Sequence, residues 1–534
     1  MKPSWISLVV FLAALGGNAS RAADQGIFEG PPDAVPESPL DKLVATQLSR
    51  LGISPALCSD AVFVRRAFLD VTGTLPTAQE AREFIEDKAA GKRRVLIDRL
   101  LERDEFADYW AMKWSDLLRV KAEFPINLWP NAAQAYHRWI RAAVRENKPY
   151  DRFVRELLTA EGSNFRVPQV NFYRAMQSRT PEGIAQTVAL TFMGVRAENW
   201  PKQRLAGMAG FFAQLSYKPT REWKEEIVFW DPGKAIAQAA GSPAGQSPGG
   251  PPAAAVFPDG TQIELPAGRD PRAVFADWLI APKNPWFTQY IANRVWSWLL
   301  GRGIIHEPDD IRPDNRPSNP ALLAYLQRET IASHYDLKHL CRLILNSRTY
   351  QFSCVSQGQA REGKAHFASY PVRRLEAEVL IDAIGRITGT TELYTSAIPE
   401  PFTFIPESQR TIALADGSTT SSFLEMFGRP PRDNGLESER NNHATPAQRL
   451  HFLNSSHIQR KIEQGRKLQS VIQSGSSLRE TAAEIYLTIL SRQPTEEELK
   501  TLEAYAGTGV AKGREVLTDL AWTLFNSSEF LYRH

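Results

Sequence analysis

The chain has 534 residues, is 43% hydrophobic and 23% charged, and carries a formal charge of +3. This composition supports a large core and excludes disordered and fibrous classes, and the length suggests two to four domains at ~150 residues each. The near balance of charge excludes a dedicated nucleic-acid or anionic-membrane binder, and three cysteines, Cys58, Cys341 and Cys354, are too few for a disulfide scaffold.

The first element reads as a leader. Lys2 supplies a basic start, residues 6–15 are apolar, and Ser20-Arg21-Ala22 offers small residues before a cleavage point. We read residues 1–22 as a signal peptide, cleaved after Ala22 or Ala23, rather than an uncleaved anchor. Its removal takes away Lys2 and Arg21 and lowers the charge from +3 by two. The apolar run is short for a bilayer. No other run approaches ~20 apolar residues, so no membrane-spanning segment is expected after signal removal. The expected location is exported: periplasmic, cell-surface or extracellular.

Residues 23–39 form a proline-rich, irregular lead-in. From residue 40 the apolar spacing is helical. In "TLPTAQEAREFI", Thr77 with Glu80 three residues on predicts a capping box at a helix start. Phe106, Trp110, Trp114, Leu117 and Leu118 recur at spacings of three and four, a stripe read as core packing rather than a cofactor box. Helices are expected at about 131–146, 151–161 and 181–195. "EIVFW" and "TQIEL" then read as short strands, with Asp259-Gly260 as a turn between extended pieces. Residues 231–256, rich in Gly, Pro and Ala, read as a loop or linker. Helical spacing resumes and runs to the end, with Gly301 as a helix C-cap. The expected fold is mainly α, a multi-helical two-domain protein with one small β region near 225–265. Its N-terminal domain spans 40–230 and its C-terminal domain 257–534.

Two polar concentrations carry whatever chemistry the chain has. "HEPDDIRPDNRPSNP", 306–320, holds His306, Asp309, Asp310 and Asp314, which are candidate hard-metal ligands without the spacing of a calcium loop. Four prolines stiffen it, and Ser318 or Asn319 with Pro320 reads as a helix cap and first turn. Asp309 or Asp310 equally suits pairing with Arg294 or Arg312. "LESERNNHATPAQRL" is the second concentration. Glu439-Arg440 suggests a buried ion pair, and Arg294, Glu439, Arg440 and His443 a polar pocket; Thr445 and Pro446 start a helix. Asp309, Asp310, Glu437 and Glu439 are the carboxylates available for acid–base catalysis if the two segments converge. No HExxH, GxSxG, P-loop or GxGxxG signature occurs, and nothing marks a nucleophile. The absence of CxxCH and of Cys/His zinc spacing excludes a covalently attached c-type haem and a classical zinc site, and no cofactor is expected. Cys341 and Cys354 are candidates to pair, leaving Cys58 as a buried thiol.

Several blocks together resemble a known family. "FVRRAFLDVTGTLPTAQEAREF", "WAMKWSDLLRV" and "ENKPYDRFVRELLTAEGSN" resemble the first domain of secreted planctomycete-type proteins with paired domains of unknown function. "FADWLIAPKNPWFTQYIANRVWSWLLGRGIIHEPDDIRPDNRPSNPALLAYL", "LKHLCRLILNSRTYQFS", "FGRPPRDNGLESER" and "LAWTLFNSSEFLYRH" resemble the second. The resemblance covers nearly the whole chain after the leader. It implies two departures. Where many relatives carry a CxxCH-like motif, this chain has Arg196-Ala197-Glu198-Asn199; where they show Cys-x-Cys-Glu-Arg, it has "LESER", with glutamate and arginine kept and both cysteines gone. Soft thiolate and imidazole ligands suit haem iron or similar metals. Their joint loss implies one shared site in the relatives and a scaffold without its redox centre here. The expected function is an exported binding or scaffolding protein whose partner is another exported protein or an extracellular polymer. The alternative is a hydrolase acting on polysaccharide or another exported polymer through a carboxylate pair.

Overall fold

The Asp60–Thr72 helix is buried on every side although its sequence, DAVFVRRAFLDVT, holds two arginines and an interior aspartate. In this computed structural model, which describes residues 27–30, 37–234, 254–266, 268–355 and 360–534, the chain folds around that helix. The leader expected over 1–22 and most of the expected 231–256 loop lie outside the described residues. Ser59 caps the helix by accepting the Val62 N–H, and Gly73 ends it at φ +60°, a conformation glycine adopts without cost. A Cβ there would meet the Tyr109 ring at 2.6 Å.

The fold is mainly α. The Thr77–Glu80 capping box forms on the Ala78–Glu86 helix as read from the sequence. The aromatic stripe lies on the Asp104–Leu117 helix and is core. Trp110 and Trp114 meet the edge of Trp298, from the Pro285–Leu300 helix, with centroids 5.5 and 5.4 Å apart. These edge-to-face contacts join the N-terminal and C-terminal segments directly. Buried apolar residues form one continuous cluster from Leu40 to Phe530.

The expected helices appear as Pro130–Arg145, Tyr150–Thr159 and Pro181–Met193. "EIVFW" is the centre of a three-stranded antiparallel sheet, flanked by Gly162–Ser163 and Leu215–Pro219. The Ala254–Val256 and Gln262–Glu264 strands form a hairpin turned through Gly260 at φ +90°. Leu215–Pro219 escapes a periodicity reading because its exposed lysine and terminal proline dilute the strand signal. The Arg373–Arg374 pairing with Tyr532–Arg533 was not expected either: two-residue strands have no period.

That last ladder brings the end of the described chain against the central helix. Arg66 donates to the carbonyls of His534, Tyr350 and Phe352, and Arg65 to those of Ile489 and Phe530. The candidate pairing of Cys341 with Cys354 does not form. All three cysteines are free. Cys341 is buried in the Leu337–Leu345 helix beside Phe106 and Trp110, whereas Cys354 lies near Arg66.

Gly194, which ends the Pro181–Met193 helix at φ +64°, tests this packing. A Cβ there would lie 2.5 Å from the Tyr290 ring and 2.8 Å from the Pro308 carbonyl. Gly194→Ala is expected to cost about 1–3 kcal/mol from backbone strain, plus the clash. Gly52→Ala, at φ +68° in open space, is expected to cost less. Urea midpoints of the two variants check the difference.

Candidate functional site

Arg294 sits inside the Pro285–Leu300 helix, whose apolar residues run round all faces. A buried guanidinium demands carboxylate partners, and it takes them from the two polar segments. One amino group pairs with Asp309 and the other donates to Glu437 at 2.6 Å. The Glu437 N–H donates to Asp309 at 2.7 Å, closing the triangle. Burial disfavours the Arg294 charge, but Asp309, Tyr290 and Glu437 more than offset it and hold the group protonated. Asn293 fixes the start of the 306–320 segment by exchanging two hydrogen bonds with Ile305. On its other side the Ile311 N–H donates to the Gly194 carbonyl at 2.8 Å. The 194–199 and 436–440 stretches, where the resemblance would place cysteine motifs, therefore flank the same turn, one through Gly194 and one through Glu437.

Beside this triangle lies a cavity of about 230 Å³ between the N-terminal and C-terminal segments. Its walls include Lys113 and Asp116 from the Asp104–Leu117 helix, and His306, Glu376, Glu437 and Arg440 from the rest of the chain. Nearly every charge on these walls is already matched. Asp116 accepts from Arg440 at 2.7 Å and from Arg432 at 2.8 Å. Arg440 reaches Glu378 with its other amino group at 2.7 Å. Glu376 is bound by Arg533 and approached by Tyr109 at 3.1 Å and Lys113 at 3.4 Å. Burial pushes the Asp116 and Glu376 carboxyls up, but their arginine and lysine neighbours win and hold both below the carboxylate range. The side chains left facing solvent are His306 and Glu307, 3.3 Å apart. Burial and Arg302 pull the His306 pKa down against Glu307, so its imidazole is neutral at pH 7.

The structure brings Arg294, Asp309 and Glu437 together and separates the other candidates. Asp310 and Asp314 both pair with Arg312, at 3.0 and 2.8 Å, away from Asp309. The metal candidates His306, Asp309, Asp310 and Asp314 thus have separate partners; among the described residues no group of three or more His, Cys, Asp or Glu side chains is placed to hold a metal ion. The expected Glu439–Arg440 pair does not form. Consecutive side chains leave this turn in different directions, and Glu439 accepts the N–H groups of Asp433, Asn434 and Gly435 while Arg440 turns to Asp116 and Glu378. His443 is exposed and is not on the wall of this cavity. Asp310 faces a different cavity, whose wall does not include Glu439. Asn319 caps the Pro320–Ala332 helix, and Thr445 the Pro446–Asn454 helix.

Sequence reasoning missed Lys113, Asp116, Glu376 and Glu378. The available signal was charge inside a buried stripe: Lys113 and Asp116 flank Trp114 on a helix otherwise read as core. Covalent haem does not fit the residues present. At the 196–199 position there is neither thiol nor imidazole, and the three cysteines lie elsewhere.

Asp116→Asn removes the only carboxylate among the described residues that pairs with Arg432, a fully buried side chain. Breaking such a pair costs about 3–5 kcal/mol, to be read from urea unfolding. Because the folded-state carboxyls of Asp116 and Glu376 lie below their ordinary 3.8 and 4.5, their contribution is present above those values and lost as pH falls through the folded-state ones. Unfolding midpoints between pH 7 and 3 should fall in acid for the natural protein, and less steeply for Asp116→Asn.

Two family models match the chain. Residues 39–202 match a Protein of unknown function (DUF1549), and residues 271–506 match a Protein of unknown function (DUF1553). No curated protein and no solved structure matches. The region between the matches, 203–270, holds Leu215–Pro219, Glu226–Trp230 and the hairpin. With both models matched in this order, the chain belongs to the planctomycete-type proteins that pair these two domains of unknown function, and it carries no CxxCH-like site.

Proposed function

We propose that the protein is an exported binding or scaffolding component that keeps its family's two-part scaffold without a redox centre. The observation that carries this reading is the commitment of the candidate carboxylates. Asp309, Asp310 and Glu437 each have a guanidinium partner, and Glu439 has three backbone N–H groups. A general acid or base needs a proton it can exchange with substrate at working pH, whereas these groups are held as structural counter-charges. The preformed interdomain cavity, with His306 and Glu307 at its rim, suits recognition by fixed groups rather than turnover. The hydrolase alternative must find its carboxylate pair elsewhere. Export rests on the basic, apolar and small-residue order of residues 1–22, and the partner is another exported protein or an extracellular polymer.

Two measurements test this. Mass analysis of protein recovered from the exported fraction should give an N-terminus at Ala23 or Asp24. Retention of a native partner by the tagged protein should weaken roughly tenfold, about 1.4 kcal/mol, in a His306→Ala/Glu307→Ala variant whose melting is unchanged. The same sample should show no haem absorbance. Polymer hydrolysis abolished by Glu437→Gln, or a haem band, would overturn the reading.

A further inference from the structure

A second cavity, of about 570 Å³, opens on the other side of the 306–320 segment and is independent of the function proposed above. Its volume falls within the roughly 300–1,000 Å³ of small-molecule sites. It is walled by the stretch after the Pro181–Met193 helix, the start of the Pro285–Leu300 helix and the 310–317 loop.

Its charge is unbalanced. Arg196, Arg204 and Arg316 line it, and none has a carboxylate partner among the described residues. The contrast with Arg312 is informative: that arginine takes both Asp310 and Asp314, which uses up the acid facing the cavity. Arg204 donates Nε to the Pro258 carbonyl at 2.9 Å and lies 4.1 Å from the Trp200 ring centroid. Stacked and anchored through Nε, it keeps both terminal amino groups unbonded to the described protein. The Arg196 Nε is buried and has no hydrogen-bond partner among the described residues. A guanidinium held this way matches the planar pair of oxygens of a carboxylate or the face of a sulfate.

The remaining walls narrow the ligand. Trp286 presents a half-buried indole 6.0 Å from the Arg204 guanidinium, and an indole face suits the C–H face of a sugar ring. Gln289, Asn199 and Asn315 add amides suited to hydroxyl groups. Asn315 spends its NH₂ on the Asp310 carbonyl at 2.8 Å, which leaves its oxygen as an acceptor. Arginines, an indole and neutral amides in one cavity fit an acidic sugar better than a bare anion.

We propose that this cavity binds an acidic sugar residue, with its carboxylate or sulfate ester on Arg196, Arg204 and Arg316 and its ring on Trp286. Titration calorimetry on the full chain, with an oligogalacturonate, a sulfated galactan oligosaccharide, their neutral counterparts and inorganic sulfate, tests this. At least one acidic oligosaccharide should bind, more weakly as salt rises, and the neutral ones should not; which one binds distinguishes carboxylate from ester. Arg196→Gln/Arg204→Gln should weaken binding roughly tenfold or more, as expected for lost charged hydrogen bonds, and Trp286→Ala should weaken it at an unchanged melting temperature. Should the double variant melt early, Arg316→Gln, at an exposed site without a carboxylate partner among the described residues, should still weaken it measurably. Binding of inorganic sulfate alone, equal binding of neutral sugars, or an affinity indifferent to these arginine substitutions would overturn the proposal.

Discussion

The fold depends on burying arginines whose counter-charges come from the other half of the chain. Asp70, on the central helix, is fully buried and accepts from Arg533 at 2.9 Å and from the Tyr350 and Tyr370 hydroxyls at 2.9 and 2.7 Å. Arg533 continues to Glu376 and donates to the Tyr109 hydroxyl. Taking such ions out of water is costly, and the attraction between them repays it only with close geometry and satisfied donors. Neither half of the network satisfies that condition alone. A separated N-terminal segment would expose or orphan Asp70 and Asp116, and a separated C-terminal segment would orphan Arg432 and leave Arg440 and Arg533 with only Glu378 and Glu376. Specificity of docking is what such a lattice supplies: the halves fit in one register or leave buried charge unmatched.

The same condition explains the behaviour of the 306–320 segment. Its aspartates do not gather at a point because each is claimed by a guanidinium, Asp309 inside by Arg294 and Asp310 and Asp314 outside by Arg312. Four prolines then limit rearrangement. The segment acts as a partition with a different face on each side. Toward the C-terminal segment lies a cavity of matched charges; toward the replaced 196–199 stretch lies one with arginines in excess.

Much of this was legible in the sequence where the physics is local. Helix starts at Thr77, Asn319 and Thr445 and the stop at Gly301 follow from side-chain oxygens, prolines and a glycine within one turn. The pairing of Asp309 with Arg294 was among the readings because the two lie a short loop apart. Long-range choices were not legible. Glu439 and Arg440 are adjacent in sequence, yet one turns to three backbone N–H groups and the other to Asp116, 324 positions away. The arginine cavity was hidden for the same reason. Nothing local in the sequence links Arg196 and Arg204 to Arg316, and only the fold brings them to one wall.

The absence of cysteine from both the 194–199 and the 436–440 stretches gains a structural meaning from this arrangement. The 194–199 and 436–440 stretches both press on the 306–311 turn, through Ile311 on one side and Asp309 on the other. Soft ligands placed on those two stretches would therefore meet across a wall of a few residues, and removing one set would leave the other without a centre. In this chain Arg196-Ala197-Glu198-Asn199 stands on the first stretch, and on the second Leu436 and Ser438 stand at the cysteine places, beside Glu437, Glu439 and Arg440. Arg440 is tied to Asp116 and Glu378 and Glu437 to Arg294, so on that side the charges serve the junction between the halves. On the 196–204 side no carboxylate among the described residues pairs with Arg196 or Arg204. That asymmetry identifies the second cavity, rather than the junction, as the place where a charged ligand would supply something the fold itself lacks.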